Sequence, residues 1–167
     1  MLSLNVNNET ARLRAVVLGT AVSNGPTPSL EDAYDPKSAE HIKAGTYPIE
    51  ADMIREMEAV AEVLKKYDVA VFRPKIIADY NQIFSRDIAF VIDDVFVKAN
   101  ILPDREQELE AIQYIIDKID SNKVIRPPEA VHIEGGDVLL YDDYIFLGLY
   151  RGADYANFIT ARTNPEA

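Results

Sequence analysis

The chain has 167 residues, enough for one domain with a buried core, and its 48% hydrophobic and 27% charged content is that of a globular protein. A formal net charge of −11 argues against nucleic-acid binding, because every phosphate contact would work against self-repulsion; it suits a cationic ligand. With no cysteine and two histidines, these residues hold no disulfide, no cysteine nucleophile and no metal-ligand set, and no cofactor is expected.

In chain order, residues 1–9 have neither a basic n-region nor an apolar h-region, and no later run approaches transmembrane length. The expectation is a cytoplasmic protein without membrane partners. Arg14-Ala15-Val16-Val17-Leu18-Gly19 reads as a short buried strand. Residues 24–48 are rich in turn formers and long for a structureless connection, which makes them a candidate lid or a surface excursion. From Ile49 the pattern is helical: Ile54, Met57, Val60, Ala61 and Leu64 recur at three- and four-residue spacing, and Lys65-Lys66 suit the negative end of the helix dipole. Val69-Ala70-Val71-Phe72 follows as a strand stopped by Pro74.

The middle of the chain predicts a clean unit. Ile88-Ala89-Phe90-Val91-Ile92 and Val95-Phe96-Val97-Lys98 flank Asp93-Asp94 and read as a β-hairpin. Pro103 suits a first helical turn, with Asp104, Glu106 and Glu108 favoured there by the dipole, and Leu109, Ile112, Ile115, Ile116 and Ile119 mark the buried face. Val124-Ile125 is a short strand ended by Pro127-Pro128. The same order then restarts: Val138-Leu139-Leu140-Tyr141, an Asp142-Asp143 turn, and Tyr144-Ile145-Phe146-Leu147-Gly148-Leu149. Asp87 and Asp137 stand 50 residues apart, a period found in radial arrays, and are expected at equivalent entrances to successive units.

Two strings sit at those entrances: Phe84-Ser85-Arg86-Asp87 and His132-Ile133-Glu134-Gly135-Gly136-Asp137. The glycines let backbone crowd a neighbouring group with no Cβ in the way. A guanidinium is planar and permanently charged, with five N–H donors in a fork, and is held by ionised carboxylates lying in its plane. Asp87 and Glu134 are the leading candidates to supply them, with Asp137 next. The competing reading is that the aspartates cap turns or pair with Arg86. His132 beside Glu134 could act as a general base, although a lone histidine is more often structural.

Phe-Ser-Arg-Asp followed by Glu-Gly-Gly-Asp, with Gly148 and Ala161-Arg162-Thr163-Asn164 downstream, resembles the amidinotransferase and arginine-deiminase-like group of the pentein superfamily, which includes dimethylarginine dimethylaminohydrolases. The likeness runs from about Arg14 to the last residue. It implies an α/β propeller of ββαβ units, of which about two and a half of five are countable here. It also implies Asp87 and Glu134 as the catalytic guanidinium-binding acids, and Asp137, Arg162 and Arg105 as further substrate-binding residues, the arginines meeting a substrate carboxylate. For Arg105 a solvent-facing residue at a helix start is the competing reading.

In that family a cysteine thiolate attacks the guanidinium carbon, a later histidine protonates the leaving amine, and water or an acceptor amine clears the intermediate. The expectation is therefore a guanidino-modifying enzyme acting on arginine-like substrates, here as an N-terminal portion of a domain truncated at its C-terminal end and inactive without the cysteine. The alternative is a non-catalytic guanidino-binding pentein. An incomplete propeller would leave an edge open to self-association, with Leu147 and Phe158 lacking partners.

Overall fold

A computed structural model of the chain describes residues 1–33, 36–101, 103–149 and 163–167. Strand β1 (Ala15–Val17) is followed by helices α1 (Pro36–Ala44) and α2 (Glu50–Lys66) and returns as β2 (Ala70–Phe72), parallel to β1. The one-turn helix α3 (Ser85–Ile88) leads into the hairpin β3 (Ala89–Ile92) and β4 (Val95–Lys98). A 3-10 turn (Pro103–Arg105), α4 (Gln107–Ala111) and α5 (Gln113–Ile116) carry the chain back to β5 (Val124–Ile125), parallel to β4. A further 3-10 turn (Gly135–Asp137) opens the hairpin β6 (Val138–Tyr141) and β7 (Tyr144–Leu147). The fold is mixed α/β, its middle unit has strand, strand, helix, strand order, and no sheet among the described residues closes on itself.

Strand alternation divides the core in two. Ala89, Val91 and Phe96 turn toward Ile112, Ile115, Ile116 and Ile119, with Ile88, Ile101, Val17 and Phe72 in the same cluster. Phe90, Ile92, Val95 and Val97 point the other way and pack on Val138 and Leu140. Both faces of this hairpin are therefore covered, which is why its sequence reads as an unbroken apolar run. Each hairpin turns on two aspartates; the first takes positive φ (50° at Asp93 and at Asp142), a conformation that aspartate tolerates better than most residues.

Several expectations need correction. Residues 24–48 are not a structureless connection, since α1 lies inside them with Pro36 at its first position, where a missing N–H costs nothing. His41 lies on this helix. The helix expected over the Leu109 to Ile119 stripe is broken at Ile112, which has φ −102° and ψ 1°. Three-residue hydrogen bonds (Ile112 N to Leu109 O, Ile115 N to Ile112 O, Lys118 N to Ile115 O) replace much of the regular ladder and bring Leu109, Ile112 and Ile115 onto one face. The hairpins repeat at 49 residues, Ala89 matching Val138 and Asp93 matching Asp142, so Asp87 and Asp137 stand at successive entrances but one residue out of register.

Residues 1–9, in which the sequence showed no element, form a strap. Leu2 N bonds Lys118 O, Val6 and Asp93 exchange backbone bonds across the first hairpin turn, and Glu9 accepts from Leu140 N at 3.2 Å. Among the described residues no helix is long and apolar enough to cross a membrane.

Candidate functional site

The helical turns that enter β3 and β6 lie against each other, and every feature of the site follows from that contact. Ser85 Oγ ties α3 to β1 by donating to Val17 O at 2.8 Å. The next two side chains diverge. Arg86 donates from Nε to Gly135 O (3.0 Å) and from Nη2 to Val138 O (2.7 Å), stapling α3 to the second turn; Glu9 caps its outer edge at 3.0 and 3.3 Å. The Arg86 hydrogen bond holds the Glu9 carboxyl below the usual glutamate range, against the opposing effect of partial burial. Asp87 turns away from Arg86, so the two do not pair. Its Oδ2 accepts from Arg105 Nη1 at 3.0 Å.

The glycines allow this approach. A Cβ on Gly135 would run into the carbonyl oxygen of Arg86, which is backbone and cannot yield. A Cβ on Gly136 would stand 2.5 Å from Asp87 Oδ1. The Asp87 carboxylate thus sits directly against the 134–137 segment, two residues from Glu134, whose exposure is only 5%. Thr163 holds that segment: its hydroxyl donates to Asp137 Oδ2 at 2.6 Å and accepts from Glu134 N at 3.2 Å, and its own N–H donates to Asp137 Oδ2 at 3.3 Å. Asp137 is therefore occupied in fixing the turn, with Gly148 close against its other oxygen.

Arg105 does not face solvent, contrary to the competing expectation: its side chain is 13% exposed. Nε and Nη2 grip Glu108 at 2.6 and 3.2 Å, Nη2 also donates to Phe84 O at 3.3 Å, and Nη1 reaches Asp87. Burial works against its charge, but the bonds to Glu108 and then Asp87 outweigh it and raise the Arg105 pKa. Glu108, read in the sequence as a dipole-favoured residue of the first turn, is 2% exposed.

The structure thus gathers Asp87, Glu134, Asp137 and Arg105 around one pair of helical turns; Arg162 lies outside the described residues, as does Phe158. His132 is exposed on the approach to the segment, with Nδ1 3.2 Å from Asn100 O, so that nitrogen carries the proton. Sequence reasoning missed Glu108, Glu9 and Asn100, whose amide reaches the carbonyls of Pro127, Pro128 and Val131 and sets the loop before His132. It also missed Gln82, buried between Ile77 N and Lys75 O. Only an acid on an otherwise apolar helix face, as at Glu108, was a signal available in advance.

No protein-family model and no curated protein sequence matches the chain. Solved structures do. The inosamine-phosphate amidinotransferase of Streptomyces griseus superposes with a TM-score of 0.63 at 19% identity, over 84% of this chain and 53% of the other. An amidinotransferase from Microseira wollei in the saxitoxin biosynthetic pathway gives 0.63 at 16%, over 85% and 53%. Dimethylarginine dimethylaminohydrolase from Pseudomonas aeruginosa, complexed with citrulline, gives 0.61 at 17%, over 93% and 54%. The chain spans about half the length of these proteins, and over that span its fold resembles theirs.

Proposed function

We propose that the chain forms the guanidinium-holding part of a guanidino-modifying enzyme, an amidinotransferase or amidinohydrolase acting on arginine-like substrates. The observation that carries this reading is the Asp87 carboxylate set against Gly136, in the segment that carries buried Glu134, within the fold of amidinotransferases and dimethylarginine dimethylaminohydrolases. In it Asp87 and Glu134 keep the ligand's guanidinium charged, planar and in one orientation. Asp137 fixes the segment that carries Glu134, and Arg105 and Arg162 meet the ligand's carboxylate end. The units amount to about two and a half of a five-unit propeller.

Holding a guanidinium lowers no chemical barrier by itself, because binding without extra stabilisation of the transition state does not accelerate a reaction. The 167 residues contain no cysteine, so the thiolate such chemistry uses comes from outside them. The same absence supports the second reading, a non-catalytic guanidino-binding pentein.

The test is a paired assay with arginine and methylated arginines: the 167-residue chain, and the longest natural reading frame that contains it. Turnover by the longer form alone, lost on Glu134→Gln and on Asp87→Asn, supports the enzyme. Turnover by the 167-residue chain refutes the assignment of roles. Saturable binding with no turnover in either form selects the second reading.

A further inference from the structure

Glu108 has no role in the reading above, yet its setting is unusual. It lies at 2% exposure on the apolar side of α4, near Ile112 and Ala111, where a hydrophobic residue would be the ordinary choice. Replacing a buried ion pair by well-packed apolar residues is often neutral or stabilising, so stability alone does not account for a carboxylate there. Geometry offers a better account. Glu108 takes the Nε–Nη2 edge of Arg105 with both oxygens, and Phe84 O takes a further Nη2 proton. The guanidinium plane is then fixed, and Nη1 is the corner left to meet Asp87 Oδ2. With Oδ2 committed, Oδ1 is turned onto Gly136 and toward the segment carrying Glu134.

Exposure points the same way. The pairs leave Asp87 as the accessible end of the chain of contacts, its side chain 21% exposed against 2% for Glu108, so a cationic ligand reaches the group from the Asp87 side.

We propose that Glu108 is a positioning residue: acting through Arg105, it orients the Asp87 carboxylate for a guanidinium ligand. This rests on the reading of Asp87 given above. Arg105, on this view, serves first as the strut between two acids and only with its remaining Nη1 proton as a partner for a ligand carboxylate.

The experiment uses the full chain and has two arms. In the ligand-free arm, Glu108→Gln is compared with wild type by NMR of the Arg105 Nε–H and the Asp87 side-chain carboxyl carbon. The amide of glutamine keeps the shape of the acid but cannot present two anionic oxygens to the fork. The expected result is at least a tenfold loss of solvent protection at Arg105 Nε–H and a moved Asp87 carbon, in a variant that remains folded. Both signals unchanged overturns the proposal. Should Glu108→Gln not fold, Glu108→Asp keeps the charge but shortens the reach, and the same two signals decide.

In the second arm agmatine is titrated into both chains. A drop in affinity of tenfold or more for Glu108→Gln, with no drop for the core control Ile112→Val, supports the proposal; equal affinities overturn it. If wild type binds neither agmatine nor arginine, the proposed function fails, while the ligand-free arm still decides whether Glu108 orients Asp87.

Discussion

Gly136→Ala is the sharpest perturbation of the site. The new methyl carbon would stand 2.5 Å from Asp87 Oδ1, whereas ordinary contact begins at 3.4 Å, so the carboxylate has to retreat by about 0.9 Å. Its ion pair with Arg105 Nη1 stands at 3.0 Å, only about 0.5 Å inside the roughly 3.5 Å limit of a useful hydrogen bond, so a shift of that size strains or breaks it. A hydrogen bond to a charged group contributes about 1.5–3 kcal/mol. Asp87 is 21% exposed and regains some hydration, which favours the lower end, about 1.5 kcal/mol. At about 2–4 °C per kcal/mol for a chain of this size, melting should fall by about 3–6 °C with the fold intact. Affinity for agmatine, measured by calorimetry, should fall by about tenfold or more, because the displaced carboxylate is the one proposed to meet the ligand. Gly135→Ala supplies the contrast. Its Cβ meets backbone at Arg86 and Ala89, no side-chain rotation relieves it, and the chain should lose its cooperative melt. If Gly136→Ala binds agmatine as tightly as wild type, the placement of the ligand against Asp87 is wrong.

Three further outcomes are expected. The folded Glu9 carboxyl titrates below its unfolded value, so its contribution is fully present above about pH 4.5 and is lost as pH falls through the folded value; urea midpoints of wild type and Glu9→Gln should differ at neutral pH and converge in acid. Thr163→Val removes the hydroxyl shared by Glu134 N and Asp137, costing about 1–2 kcal/mol, and should speed amide exchange at Glu134, whereas Thr163→Ser should not. Tyr144, Ile145 and Phe146 on β7 are all exposed, with Phe146 at 56%, so sedimentation should show concentration-dependent self-association that Phe146→Lys reduces.

What the sequence revealed, and what it concealed, follows from the range of the interactions. The hairpins were legible because apolar runs and a two-aspartate turn are local signals, and α2 because Ile54, Met57, Val60, Ala61 and Leu64 keep helical spacing over about three turns. The two acidic strings were legible as a pair through the repeat that sets Asp87 and Asp137 at successive entrances, and the family resemblance added their roles. The break at Ile112 was hidden, since no glycine or proline marks it and the isoleucine stripe fits a continuous helix equally well. The competing solvent-facing reading of Arg105 failed because one of its two acids, Asp87, lies 18 residues away, and helix-start arginines usually reach water. The strap was hidden because its anchors are backbone bonds to Lys118 and Asp93 and one glutamate, none of which leaves a periodic trace.

The central claim is that Asp87 and Glu134 together hold a guanidinium. Its most direct test is a titration of the 167-residue chain with agmatine, followed through the side-chain carboxyl carbons of both residues by NMR. The account predicts that the two signals move together and saturate at one equivalent, and that Asp87→Asn or Glu134→Gln abolishes binding while each variant still melts cooperatively. Carboxyl signals that stay in place at millimolar agmatine, or binding that persists in the Asp87→Asn, Glu134→Gln double variant, would contradict it.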